Sequence, residues 1–158
     1  MKRIIYLIGI VIGLCLTSAC SKNFLDQVLL EGTWGLTRFE MITTAGGSVI
    51  EDLITDCDPY YPKSAQDTKL SIVNGSGNTY VATEEYWDNL RGRWVPGLQT
   101  TYIVRDDVMF ILENGREMEY GRFQCTASTL TITSTSVDVI LGSTTTSIST
   151  YRRMSGEY

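Results

Sequence analysis

From residue 33 onward, apolar and polar positions alternate with a period of two, the repeat of a strand with one wet face. In "REMEYG", Glu117 and Glu119 share one face and Met118 and Tyr120 the other; in "STLTIT", Leu130 and Ile132 oppose Thr129, Thr131 and Thr133. Turn signals recur about every ten residues, as in all-β chains. The pattern predicts strands over 33–44, 49–55, 68–73, 79–87, 94–104, 108–113, 116–126, 128–141 and 146–154, the fifth interrupted at Pro96 and Gly97. "NGSGN" (74–78) and "NG" (114–115) are hairpin turns, because Asn and Gly accept positive φ. "DCDPYYPKSAQD" (56–67) holds two prolines and no periodicity, and is expected to be a long loop. "VMFIL" (108–112) is apolar on both faces, so its outer side is expected to be covered. No segment reads as a helix. The expectation is all-β: an up-and-down antiparallel β-barrel of about eight strands, whose closure removes sheet edges. A β-sandwich is the alternative.

The first nineteen residues read differently. Lys2 and Arg3 precede an uncharged apolar run (4–16), and "TSAC" (17–20) then supplies small residues before a cysteine. That order predicts a secretory signal peptide over 1–19, the run being shorter than the roughly 20 residues of a spanning helix. "LTSACSK" resembles a bacterial lipobox with Leu16 displaced by one place; the resemblance implies that Cys20 is acylated and becomes the first mature residue. Residues 20–31 are then the lipidated cysteine and a tether, and 32–158 a single domain. Several acyl chains would anchor stably where one binds marginally.

Charge narrows the partners. Removing Lys2 and Arg3 from 13 basic residues leaves 11 against 18 acidic ones, a net charge of −7. Such a domain repels phosphate backbones, so no nucleic-acid partner is expected, and the lipid rather than a basic surface would hold it to a membrane. It is expected to be a monomer. In an exported, oxidising setting Cys57 and Cys125 are expected to form a disulfide.

The residues "GTW" (32–34), "LTIT" (130–133) and "TYRRM" (150–154) together resemble a lipocalin-like domain, in the short form found as Gram-negative lipoproteins. The resemblance covers about 31–154. It implies that Trp34 packs across the closed end of the barrel beneath a basic residue of the last strand, a cation–π contact worth about 0.5–2 kcal/mol. Arg152 and Arg153 are both available. Taking the face of Ile148 and Thr150 as the inward one assigns the barrel-closing role to Arg152. It also implies an outer-membrane lipoprotein, on the periplasmic side or at the cell surface.

Catalytic chemistry finds few residues. The chain has no histidine, which removes Ser-His-Asp and Cys-His mechanisms and His-ligated zinc. There is no G-x-S-x-G and no P-loop. Glu84 and Glu85 are adjacent, so they point to opposite faces. Glu117 and Glu119 share a face but read as a solvated stripe. Asp56 and Asp58 lack a calcium-loop pattern. No enzyme activity, cofactor or metal is expected. Aromatic residues are the better candidates: of the rings, 9 are Tyr and 3 Trp against 4 Phe, so most carry a polar handle. Tyr60 and Tyr61 in the Pro-rich loop, Trp87 and Trp94 flanking the 88–93 turn, and Tyr102 are the expected ligand-binding residues. Tyr80, Phe110 and Tyr120 are expected inside with Tyr102. The reading is a lipid-anchored, non-enzymatic module of the cell envelope that binds a small or hydrophobic ligand or a sugar. The alternative is a protein-interaction or inhibitor module that uses its loops and has a filled barrel.

Overall fold

The structure, a computed structural model, describes residues 29–155. Nine strands follow in order: β1 Gly32–Ala45, β2 Ser48–Asp56, β3 Thr68–Asn74, β4 Thr79–Asp88, β5 Arg93–Arg105, β6 Val108–Glu113, β7 Arg116–Cys125, β8 Thr129–Asp138 and β9 Ser143–Arg153. All pair antiparallel in one sheet, β3 to β9 as a meander, and β1 pairs with both β3 and β9. The chain is therefore all-β, a closed eight-stranded antiparallel barrel with one extra strand, β2. A single closed sheet is not a sandwich.

The extra strand has a simple origin. One edge of β1 pairs β3 along Gly32–Gly35 and β2 along Arg38–Ala45. Strands β2 and β3 run collinearly along that edge, parted by the 57–67 loop. Pro59 of this loop is buried over Gly35, where a Cβ would stand 2.3 Å from the proline. On the far side, β7 pairs β8 only from Arg122 to Cys125. The barrel wall is thus closed at one end and parts at the other, where β2, β1, β9 and β8 continue as a projecting sheet.

Pro96 and Gly97 do not end β5. The register moves from Thr83↔Gln99 to Glu85↔Pro96, one extra residue on β5. The pair makes a bulge, because proline's missing donor is tolerated where the ladder is already irregular. The eighth strand is shorter than its apolar pattern suggests. It stops at Asp138, whose carboxylate accepts the N–H groups of Ile140 (2.9 Å) and Leu141 (3.0 Å), and Gly142 takes φ 62°. Val139, Ile140 and Leu141 form an exposed turn, at 87%, 96% and 73% accessible.

The core fills the closed end. Leu30, Trp34, Ile72, Tyr80, Val104, Met109, Phe123 and Leu130 are buried there. Leu30 was expected to belong to the tether; it is instead fully buried, and its carbonyl accepts the Trp34 indole N–H at 2.9 Å. Residues 20–28 of the expected tether, with the expected lipidation site Cys20, and the segment 1–19 expected to be a signal peptide lie outside the described residues.

The arginine over Trp34 is Arg153, not Arg152. Its guanidinium carbon lies 4.1 Å from the ring centroid. The same group donates to the carbonyls of Ala127 (2.8 Å), Glu31 (2.7 Å) and Leu29. The reason is register: Trp34 stands opposite Arg153, while Arg152 stands opposite Gly35 and is exposed. The inward face of β9 carries Ser149 and Tyr151 rather than Ile148 and Thr150.

The expected disulfide is absent. Cys57 and Cys125 are both thiols. Cys125 belongs to the closed-end core, opposite Leu130. Cys57 lies past the end of β2 and lines the open end. A bridge requires Cα atoms within about 7 Å, which this separation of ends denies.

Candidate functional site

Where the wall parts, the barrel interior opens as a mouth. A cavity of 480 Å³ is lined there by Leu36 and Phe39 of β1, Leu53 and Thr55 of β2, Glu84 of β4 and Tyr151 of β9, among others. A deeper lobe of 110 Å³ shares Glu84, Tyr120 and Tyr151 with it and adds Leu70, Tyr102 and Ile132. The strand pattern explains the lining. On β4 the even positions face inward: Tyr80, Ala82, then Glu84, with Tyr80 and Ala82 buried at the closed end. Glu84 is thus the inward residue at the level where the core gives way to the mouth.

Three phenols meet in this space. The rings of Tyr102 and Tyr120 lie 5.1 Å apart at 56°. Burial, then the neighbouring Tyr120, pushes the Tyr102 phenol well above the ordinary range. Burial likewise pushes Tyr151 up to about 12. At neutral pH these are uncharged hydrogen-bonding groups on apolar rings. Glu84 is the one formally charged side chain among the residues lining either lobe; no Lys or Arg is among them. Burial, followed by the charges of Asp67 and Asp56, raises the Cys57 thiol at the rim, which therefore stays protonated.

The predicted site residues divide. Tyr102 lines the deeper lobe, as expected of an interior residue. Trp87 and Trp94 do not reach the cavity. They are a cross-strand pair on the outer face of β4 and β5, edge to face at 5.5 Å, with Lys69 Nζ 4.4 Å over the Trp94 ring. Tyr60 and Tyr61 are exposed in the 57–67 loop. Tyr61 borders a neighbouring hollow of 260 Å³ beside Lys63 and Asp67, which meets the mouth at Thr55 and Cys57. The loop and the Trp pair do sit at the same end, since the Trp87 N–H donates to the Asp67 carbonyl at 3.2 Å. Their rings do not converge on one ligand. Phe110, expected inside, lies outside beneath Arg105 at 5.1 Å.

Sequence reasoning passed over Asp67, Glu84 and Tyr151. The buried Asp67 carboxylate holds the loop by accepting N–H groups from Asp58 (3.2 Å), Lys63 (2.8 Å) and Ser64 (2.9 Å). Glu84 was readable in principle: of two adjacent glutamates on a strand, one must face in. Glu85 is the outer one, opposite Lys69. Glu117 is engaged by Arg105 at 2.7 Å, whose hydrogen bond lowers the carboxyl's pKa. Among the described residues, no group of three or more His, Cys, Asp or Glu is placed to hold a metal ion. The chain matches no known family model, and no curated protein matches it significantly.

Proposed function

We propose that this is a non-enzymatic binding module that takes a small amphiphilic ligand in the mouth of its barrel. The carrying observation is the 480 Å³ cavity, in which Leu36, Phe39 and Leu53 supply apolar wall among hydroxyl, amide and carboxylate groups. Ligand sites fall in the range of about 300–1,000 Å³ and combine such walls with sparse polar groups. A filled barrel would leave only voids of about a water's volume, roughly 30 Å³. Thermal melting in the presence of short-chain alcohols, amines, fatty acids and sugars tests the reading, since a bound ligand raises Tm by mass action. No shift with any class speaks against it.

We further propose a lipocalin-like lipoprotein of the outer membrane, exported by residues 1–19 and anchored at Cys20. The eight-stranded barrel and the Trp34–Arg153 closure support this reading. A lipid there would act at the closed end, where Leu29 enters the fold. The mouth begins at Leu36 and Phe39 of β1, two and five residues past Trp34 and so roughly 7–17 Å along the strand. Labelling with a radioactive fatty acid, lost on Cys20→Ser, tests the anchor.

A protein-interaction reading draws on the exposed apolar residues of β2 and of the β8–β9 turn. It requires a partner recovered from membranes and released by loss of the Tyr60 and Tyr61 rings. Recovery of none, or of one insensitive to that change, counts against it.

A further inference from the structure

The lining of the mouth has a charge asymmetry that narrows the ligand class. Glu84 makes no salt bridge and no side-chain hydrogen bond among the described residues. Its cross-strand neighbour on β3 is Leu70, and three tyrosines face the same space. Lys63, the one basic side chain of the 57–67 loop, lines the neighbouring hollow together with Asp56 and Asp67, not the mouth itself. Asp56 is paired with Arg38 at 3.4 Å and Asp67 accepts backbone N–H groups, so Glu84 alone carries the charge of the mouth.

We propose that the mouth takes an organic cation: an ammonium group carried on a short apolar chain. This deepens the ligand-site reading above and rests on it. The ammonium group sits against the Glu84 carboxylate and the electron-rich faces of the tyrosines. Ring quadrupoles attract a cation within about 6 Å; Glu84 and Tyr120 are solvent-exposed, so the contact is of the hydrated, weaker kind. The chain lies along Leu36, Phe39, Leu53 and Ile132, which supply apolar contact. An anion meets the opposite situation. It would lose its hydration beside a carboxylate with no basic group to receive it.

The test compares decyltrimethylammonium, decanol and decanoate by titration calorimetry below their micellar concentrations, against the wild-type protein, Glu84→Gln and Glu85→Gln. The cation is expected to bind about tenfold tighter than decanol, a margin of about 1.4 kcal/mol. Glu84→Gln is expected to erase that margin and leave decanol binding unchanged. Glu85→Gln, on the outer face, is expected to keep it. Equal binding of the cation and decanol to the wild-type protein, or a preference that survives Glu84→Gln, overturns the cation assignment while leaving the cavity as a ligand site. No binding of any of the three overturns the ligand-site reading itself. The wild-type comparison stands alone should Glu84→Gln melt early.

Discussion

Gly32 has a φ of 140°, and a Cβ there would stand 2.3 Å from Nη1 of Arg153. The glycine of "GTW" is thus the space that lets the guanidinium lie across Trp34 and reach three carbonyls. Trp34→Ala is expected to cost about 3–5 kcal/mol, the value for a buried aromatic. Arg153→Met should cost about 2 kcal/mol through its charge-assisted bonds, and Arg152→Met less than about 0.5 kcal/mol. Urea denaturation of the three variants checks the order; equal losses at the two arginines would contradict it. The tryptophan was legible in the sequence and its arginine was not. Alternation within β9 sorts two faces but does not say which is inner, because Ser and Thr on both offer no hydrophobic contrast. The mouth tyrosines give a pH prediction. The folded phenols of Tyr102 and Tyr151 titrate above the ordinary 10.0, so the fold favours their neutral form. That stability is fully present below pH 10, and falls as pH rises through 10 to about 12 and beyond. The urea midpoint should decline in that window, and less so in Tyr151→Phe.

The second strand pairs on one side only. The Cys57 N–H donates to the Thr37 carbonyl at 2.9 Å, so alternate residues of the ladder, Asp56, Ile54 and Asp52, direct their N–H groups away from β1. Asp52→Pro therefore removes a donor that the ladder does not use, whereas Leu53→Pro breaks it. The first is expected to leave Tm within a few degrees and the second to lower it sharply, as calorimetry would show. Equal effects would mean that β2 is not held as described. Strand positions were readable from the period, and the loop at 57–67 from its prolines. The β8–β9 turn was not, because "VIL" reads as strand. Its signal is the polar frame, Asp138 with Gly142 four residues on. The same frame, Asp88 and Gly92, makes the β4–β5 turn, where Asp88 accepts the N–H groups of Leu90 (2.9 Å) and Arg91 (3.1 Å).

At the scale of the molecule, one end is sealed and the other parts into a mouth. Closure by β1–β9 pairing was the expectation of a meander. The parting was not legible, since it follows from unequal strand lengths and from a loop that splits one edge of β1 between two strands. The cavity contents were half legible: Tyr102 and Tyr120 read as interior, while Glu84 and Glu85 read only as facing opposite ways, with neither assigned to the inside. The most direct test of the account is where a ligand settles. In a methyl-resolved NMR titration with decyltrimethylammonium, shifts are predicted at Leu36, Leu53, Leu70 and Ile132 around the mouth, with Leu30 and Leu130 at the sealed end unmoved. Shifts centred instead on Val49, Ile50, Ile140 and Leu141 of the projecting sheet, or none at all, would contradict a ligand site in the barrel.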